Sequence, residues 1–263
     1  RALIAGTALV VVLAIVLGMA VANERDPAPR RVALFGDSLT QQASKYWMPL
    51  MDVSGRWDAR QSSLAGTAIC DWFKTMEKTR DQFHPQTVAF QFVGNDILPC
   101  MRNPDGSQLS KAEYLRRWRR NTRHAIELFD RSVTIDLIGP PAMGTPDNRV
   151  YDIFRELARQ YPNTRFVDGG RLVTPHRRFV KTLPCLRGEP CTGPIVHGVR
   201  TNVVRAWDEV HFCPIKLRHG GPCPLYSSGA YRFALTEFEG ITGQPAPSVP
   251  PPTSPSPTTT KGN

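Results

Sequence analysis

Between residues 31 and 240, short apolar runs alternate with stretches that carry their apolar positions at helical spacing. Arg31 to Phe35 (RVALF) is an apolar run stopped by Gly36-Asp37, the pattern of a parallel strand buried on both faces. Leu39 to Met51 reads as a helix and Thr87 to Val93 (TVAFQFV) as a second strand. Ser110-Lys111-Ala112-Glu113 is a capping box, in which serine and glutamate side chains satisfy amides at a helix start, so it opens a helix toward Arg131. Ser132 to Ile138 (SVTIDLI) is a third strand, ended by Gly139-Pro140-Pro141. Arg149 to Gln160 is helical, Thr164 to Val167 starts another strand, and Ser228 to Glu239 is the closing helix. Repeated β-α-β order predicts an α/β domain, a parallel sheet with helices on both faces. Ligands of such sheets sit beyond the carboxyl ends of the strands.

The ends follow other patterns. Ala2 to Ala22 is uncharged and rich in Ala, Val, Leu and Ile, close to the roughly 20 residues a helix needs to cross a bilayer. Ala20-Val21-Ala22 is also a small-residue cleavage site, so transmembrane anchor and signal peptide both stay open for residues 1–22. Either one places the remainder outside the cytoplasm. Residues 23–30 form a polar linker, 31–243 the globular domain, and 244–263 a Pro/Ser/Thr-rich tail. That tail has too little apolar surface to offset its ordering entropy and is expected to be disordered, whether glycosylated, threaded through an envelope matrix or inert. From Pro175 to Pro224, Gly and Pro are frequent and periodicity is weak, which predicts a long loop held by crosslinks.

Charge and cysteine content narrow the partners. The net charge of +10 would suit nucleic acid, an anionic membrane or an acidic polymer. The densest basic run, Arg116, Arg117, Arg119, Arg120 and Arg123, lies in a helical stretch with no nucleic-acid motif around it. It reads as a solvated helix face, with a binding patch as the alternative; no nucleic acid is expected. Cys70, Cys100, Cys185, Cys191, Cys213 and Cys223 make an even set that suits disulfides in an oxidising compartment. Zinc would call for a Cys-x-x-Cys pair or His-x-x-x-His spacing, which the chain lacks, so neither metal nor cofactor is expected.

The candidate chemistry lies at strand ends. Gly36-Asp37-Ser38-Leu39 puts Ser38 between the first strand and a helix, where backbone amides and the helix dipole favour developing negative charge. Taken alone, the same three residues make an ordinary turn and N-cap. Asp208-Glu209-Val210-His211 places a carboxylate three residues before an imidazole, ahead of the last helix. A serine nucleophile needs such a base, and the base needs an acceptor that fixes its tautomer. Asn95, in Gly94-Asn95-Asp96, ends the Thr87–Val93 strand and offers an amide donor to an oxyanion. Gly66 offers an unobstructed backbone amide.

The order Gly-Asp-Ser-Leu, Gly, Gly-Asn-Asp and Asp-x-x-His resembles the four blocks of the SGNH hydrolases, or GDSL esterases, over Val32 to Glu239. The resemblance implies a flavodoxin-like three-layer α/β/α sandwich. It implies Ser38 as nucleophile, His211 as base and Asp208 as its orienter. Ser38, Gly66 and Asn95 would form the oxyanion hole. One departure is Val93, which stands where the third block usually has glycine and is expected to change the shape of the site without removing the donor. The cysteine-rich approach to Asp208 more loosely resembles SGNH domains attached to membrane acyltransferases of bacterial envelopes. Blocks that converge on one site bring their following loops together, so Cys70 is expected to pair with Cys100. Local closure would pair Cys185 with Cys191 and Cys213 with Cys223. The implied protein is a monomeric exported serine esterase acting on an acylated carbohydrate or lipid, at the membrane if the first segment is uncleaved. Transfer of the acyl group to a glycan hydroxyl is the alternative, and a non-catalytic glycan-binding module a second one, against which the full residue set argues.

Overall fold

Strand β1 (Arg30–Gly36) sets the layering through its alternation. Val32 and Leu34 enter one apolar cluster, while Ala33 and Phe35 enter a second on the opposite face. The computed structural model describes residues 28–144, 149–216 and 223–248. Helices α1 (Ser38–Val53) and α5 (Ser228–Thr242) cover the Val32 face. Helices α2 (Phe73–Phe83), α3 (Lys111–Glu127) and α4 (Arg149–Leu157) cover the Phe35 face. Trp47 fills the first layer and Trp118 the second, both fully buried.

With β2 (Trp57–Ser63), β3 (Thr87–Gln91), β4 (Thr134–Gly139) and β5 (Thr164–Asp168), the strands form one parallel sheet in the order β2-β1-β3-β4-β5. This is the flavodoxin-like order of the SGNH hydrolase fold. From β1 the chain steps outward to β2 and then crosses back to β3 on the other side. The crevice beyond the carboxyl ends of β1 and β3 is therefore the switch point where such sheets bind ligands.

Several elements differ from the sequence expectations. β2 and α2 were not predicted: WDARQSS buries only Trp57, and α2 buries only Met76 and Phe83. Packing supplies what the pattern lacks, with the Arg60 guanidinium 4.0 Å from the ring centre of Phe83. The second and third strands end at Gln91 and Gly139 rather than Val93 and Ile138. The Pro175–Pro224 stretch is not one irregular loop. It contains β6 (Thr182–Pro184), β7 (Ile195–Val196) and β8 (Val199–Val203), which form a small antiparallel sheet in the order β6-β8-β7. Such short strands find their partners in one another and leave no apolar run to read. Glu189, nearly buried, ties this excursion to α5 through Arg232 at 2.7 Å.

Three disulfides join Cys70 to Cys100, Cys185 to Cys191 and Cys213 to Cys223, with Cα separations of 6.1, 5.7 and 5.4 Å. They fit an oxidising, extracytoplasmic setting. Four of the five α3 arginines have partners within the protein: Arg116 on Glu113, Arg117 on the Arg102 carbonyl, Arg119 on Glu156 and Arg123 on Gln160. Among the described residues no helix is long and apolar enough to cross a membrane. The apolar segment of residues 1–22, most of the 23–30 linker and the tail from residue 249 lie outside the described residues.

Candidate active site

The Ser38 turn is built from its glycine outward. A β-carbon on Gly36 would lie 2.1 Å from Thr40 Oγ1 and 2.9 Å from the Gln91 carbonyl, so the end of β1 admits only glycine. Asp37 then caps α1, and Ser38 opens the helix. The Asp37 carboxyl accepts from the Leu39 amide at 3.2 Å, the Val93 amide at 2.6 Å and Asn95 Nδ2 at 3.3 Å. One side chain thus fixes the serine turn against the loop that follows β3. Val93, in the position the resemblance reserves for glycine, serves here through its backbone amide.

Ser38 Oγ lies 2.9 Å from His211 Nε2, and His211 Nδ1 lies 2.6 Å from Asp208 Oδ2. With the carboxylate accepting at Nδ1, that nitrogen carries the proton and Nε2 is left to accept from the serine hydroxyl. Asp208 Oδ1 also accepts the backbone amides of Val210 and His211, at 3.0 and 2.9 Å. Burial pushes the Asp208 carboxyl up, but the His211 ring and these two amides outweigh it and hold the group below the usual carboxylate range.

The segment that carries Asp208 and His211 is a closed turn. The Ala206 amide donates to the His211 carbonyl at 2.6 Å, the Glu209 amide donates to the Ala206 carbonyl at 3.1 Å, and Glu209 sits at φ 63°. Arg205, only 2% exposed, donates to the Val210 carbonyl at 2.6 Å and the Ala142 carbonyl at 2.7 Å. The Val210–His211 peptide is therefore held at both ends, its carbonyl by Arg205 and its amide by Asp208. Gln42, one turn after Ser38 on α1, accepts the amides of Phe212 and Cys213 at 2.9 and 3.1 Å.

Gly66 and Asn95 face the serine from the loops after β2 and β3. Gly66 lies at φ +80°, a conformation that favours glycine, and Ile97 covers the place of a β-carbon. Asn95 Nδ2 donates to the Thr67 carbonyl at 3.0 Å besides its longer contact to Asp37, so the amide is held between two acceptors. The Cys70–Cys100 bond staples the same two loops a few residues further on. Asp71 brings a third potential ligand atom within 4.8 Å of these two sulfurs, but the crosslink removes both thiolates. Ser38, Gly66, Asn95, Asp208 and His211 all line one open pocket of about 340 Å³. The structure thus brings all five sequence-predicted site residues together.

Residues 31–215 match the family model described as protein of unknown function (DUF459). The chain belongs to the DUF459 family. No curated protein sequence matches it. The lipase/acylhydrolase from Enterococcus faecalis superposes with this DUF459 chain at a TM-score of 0.50 and 16% identity, covering 80% of this chain and 95% of the other. A variant of an acetyl xylan esterase from Geobacillus stearothermophilus gives a TM-score of 0.50 at 15% identity, covering 83% of this chain and 97% of its own. The DUF459 protein shares the fold of these proteins.

Three residues of the DUF459 site escaped the sequence reading. Gln42 was signalled only by its i,i+4 spacing from Ser38, which puts both on one helix face. Arg205 precedes the Asp208 turn and Trp207 lies within it, and no motif marks either. Asp37 was read as part of a turn, yet it is fully buried, and burial pushes its carboxyl from 3.8 up to about 7 against the lowering effect of the Val93 and Leu39 amides. Glu237, also fully buried, is pushed well above its ordinary value by burial and by the charge of Asp37. Because these folded pKa values exceed the unfolded ones, both groups stabilise the protein below about pH 4. For Asp37 that contribution is lost as pH rises from 3.8 through about 7. Thermal unfolding from pH 5 to 8 should therefore show a smaller loss of Tm in Asp37→Asn than in the unmodified protein. Equal slopes would show that Asp37 ionises as freely in the folded state as in the unfolded chain.

Proposed function

We propose that this DUF459 protein is a serine esterase that works through an acyl-enzyme on Ser38. The observation that carries the reading is the continuous chain Asp208–His211–Ser38, open to a pocket whose other wall presents Gly66 and Asn95. His211 Nε2 takes the Ser38 proton as Oγ attacks the ester carbonyl. The oxyanion is received by the backbone amides of Ser38 and Gly66 and by Asn95 Nδ2, which gives up its 3.3 Å contact to Asp37 more readily than its 3.0 Å contact to Thr67. His211 then returns the proton to the departing alcohol oxygen. A water, deprotonated by the same ring, releases the acid and restores the serine. The likeness of fold to a lipase/acylhydrolase and an acetyl xylan esterase supports the reading. The disulfides and the apolar Ala2–Ala22 segment support a place outside the cytoplasm, where the ester would belong to a carbohydrate or lipid of the cell envelope.

The test is labelling with a fluorophosphonate, which only an activated serine attacks rapidly. Peptide mapping should place the adduct on Ser38, and Ser38→Ala should abolish it. An adduct that persists in Ser38→Ala would put the nucleophile elsewhere.

A further inference from the structure

Trp207 stands on the rim of the pocket, one residue before Asp208, and 60% of its surface is exposed. Neither the hydrogen-bonded triad nor the core explains an aromatic ring of that size left in water. Its one described ring contact is the Lys216 ammonium, 5.0 Å from the ring centre. An indole and an ammonium therefore lie together beside the turn that carries the base.

The direction of the reaction assigns this wall to one half of the substrate. The oxyanion must point toward Gly66 and Asn95. The alcohol oxygen must receive its proton from His211 Nε2, so the alcohol half leaves on the side of His211, where residues 206 to 215 form the wall. We propose that Trp207 and Lys216 are the subsite for the alcohol half of the ester, and that this alcohol is a sugar ring. The inference rests on the serine-esterase reading. A pyranose presents a flat face of polarised C–H groups that stacks on the negative face of an indole, and its outward hydroxyls accept from an ammonium. An alkyl chain laid on the same wall would strip water from Lys216 and offer no acceptor in return. The net charge of +10 adds attraction for sugars that also carry carboxylates.

The test compares two acetate esters on the full chain, an O-acetylated oligosaccharide and ethyl acetate, whose alcohol is too small to reach the rim. Acid release is followed by titration, because a nitrophenyl leaving group would itself stack on the indole. Trp207→Ala should lower kcat/KM on the oligosaccharide by about 10-fold more than on ethyl acetate, mainly through KM. Trp207→Phe should recover most of the difference, and Lys216→Met should show a smaller loss of the same selectivity. Equal losses on both esters would reduce Trp207 to a structural part of the turn. A selective loss on a monoacylglycerol instead would assign the wall to lipid. Hydrolysis of ethyl acetate with none of the oligosaccharide would end the sugar assignment while leaving the esterase reading intact. Absence of fluorophosphonate labelling at Ser38 is the separate result that would remove the esterase reading itself.

Discussion

Replacing His211 by alanine should lower kcat by about 10⁶-fold while KM changes little, since the ring acts on protons that move only during the reaction. The backbone contacts of the turn do not depend on the His211 ring. The His211 amide donates to Asp208 Oδ1 at 2.9 Å and its carbonyl accepts from Ala206 at 2.6 Å, and neither contact uses the ring. The turn, the Arg205 contacts and the Gln42 contacts should all survive. Tm should therefore stay within a few degrees of the unmodified value while activity disappears, a combination that separates lost chemistry from lost structure. A folded His211→Ala protein that kept a tenth of its kcat would show that another group takes the serine proton.

Asp208→Asn should cost about 10⁴-fold in kcat, for a reason set by the donors around it. Oδ1 of Asp208 receives two backbone amides, so an asparagine must keep its oxygen there and turn its nitrogen toward His211. The new N–H then faces Nδ1, which has to become the acceptor. Nε2 is left protonated and can no longer receive the Ser38 proton. Steady-state kinetics should show the loss in kcat, and fluorophosphonate labelling should slow by a similar factor. Retention of more than a tenth of the labelling rate would mean that the carboxylate does not set the tautomer.

How far the fold could be read from the sequence depended on where each segment's stability comes from. β1, β3 and β4 lie inside the sheet and need apolar residues on both faces, so their runs stand out, while β5, at the far edge, shows only a short one. β2 is an edge strand of mostly polar residues, and α2 buries two side chains; tertiary packing decides both, and periodicity misses them. The short strands β6 to β8 depend on pairing with one another. Ser38, Asp208 and His211 were legible because chemistry restricts them to particular residue types at particular spacings. Arg205 was not, because any buried donor able to span the Val210 and Ala142 carbonyls would do the same work.

Helix α1 does more than present the serine. Turn by turn, Ser38 meets His211, Gln42 holds the amides of Phe212 and Cys213, Lys45 donates to the Cys223 carbonyl, and Tyr46 Oη accepts the Ser227 amide. His211 and its flanking chain thus hang on the same helix as Ser38. Moving the backbone that carries His211 away from Ser38 requires that whole seam to part, and its buried members Gln42 and Tyr46 belong to the layer that closes the core. Displacement of that backbone is then coupled to opening of the α1–α5 layer as one cooperative unit rather than to local fluctuation of a surface turn. In such an arrangement, moderate destabilisation elsewhere in the domain changes how many molecules are active far more than how active each folded molecule is.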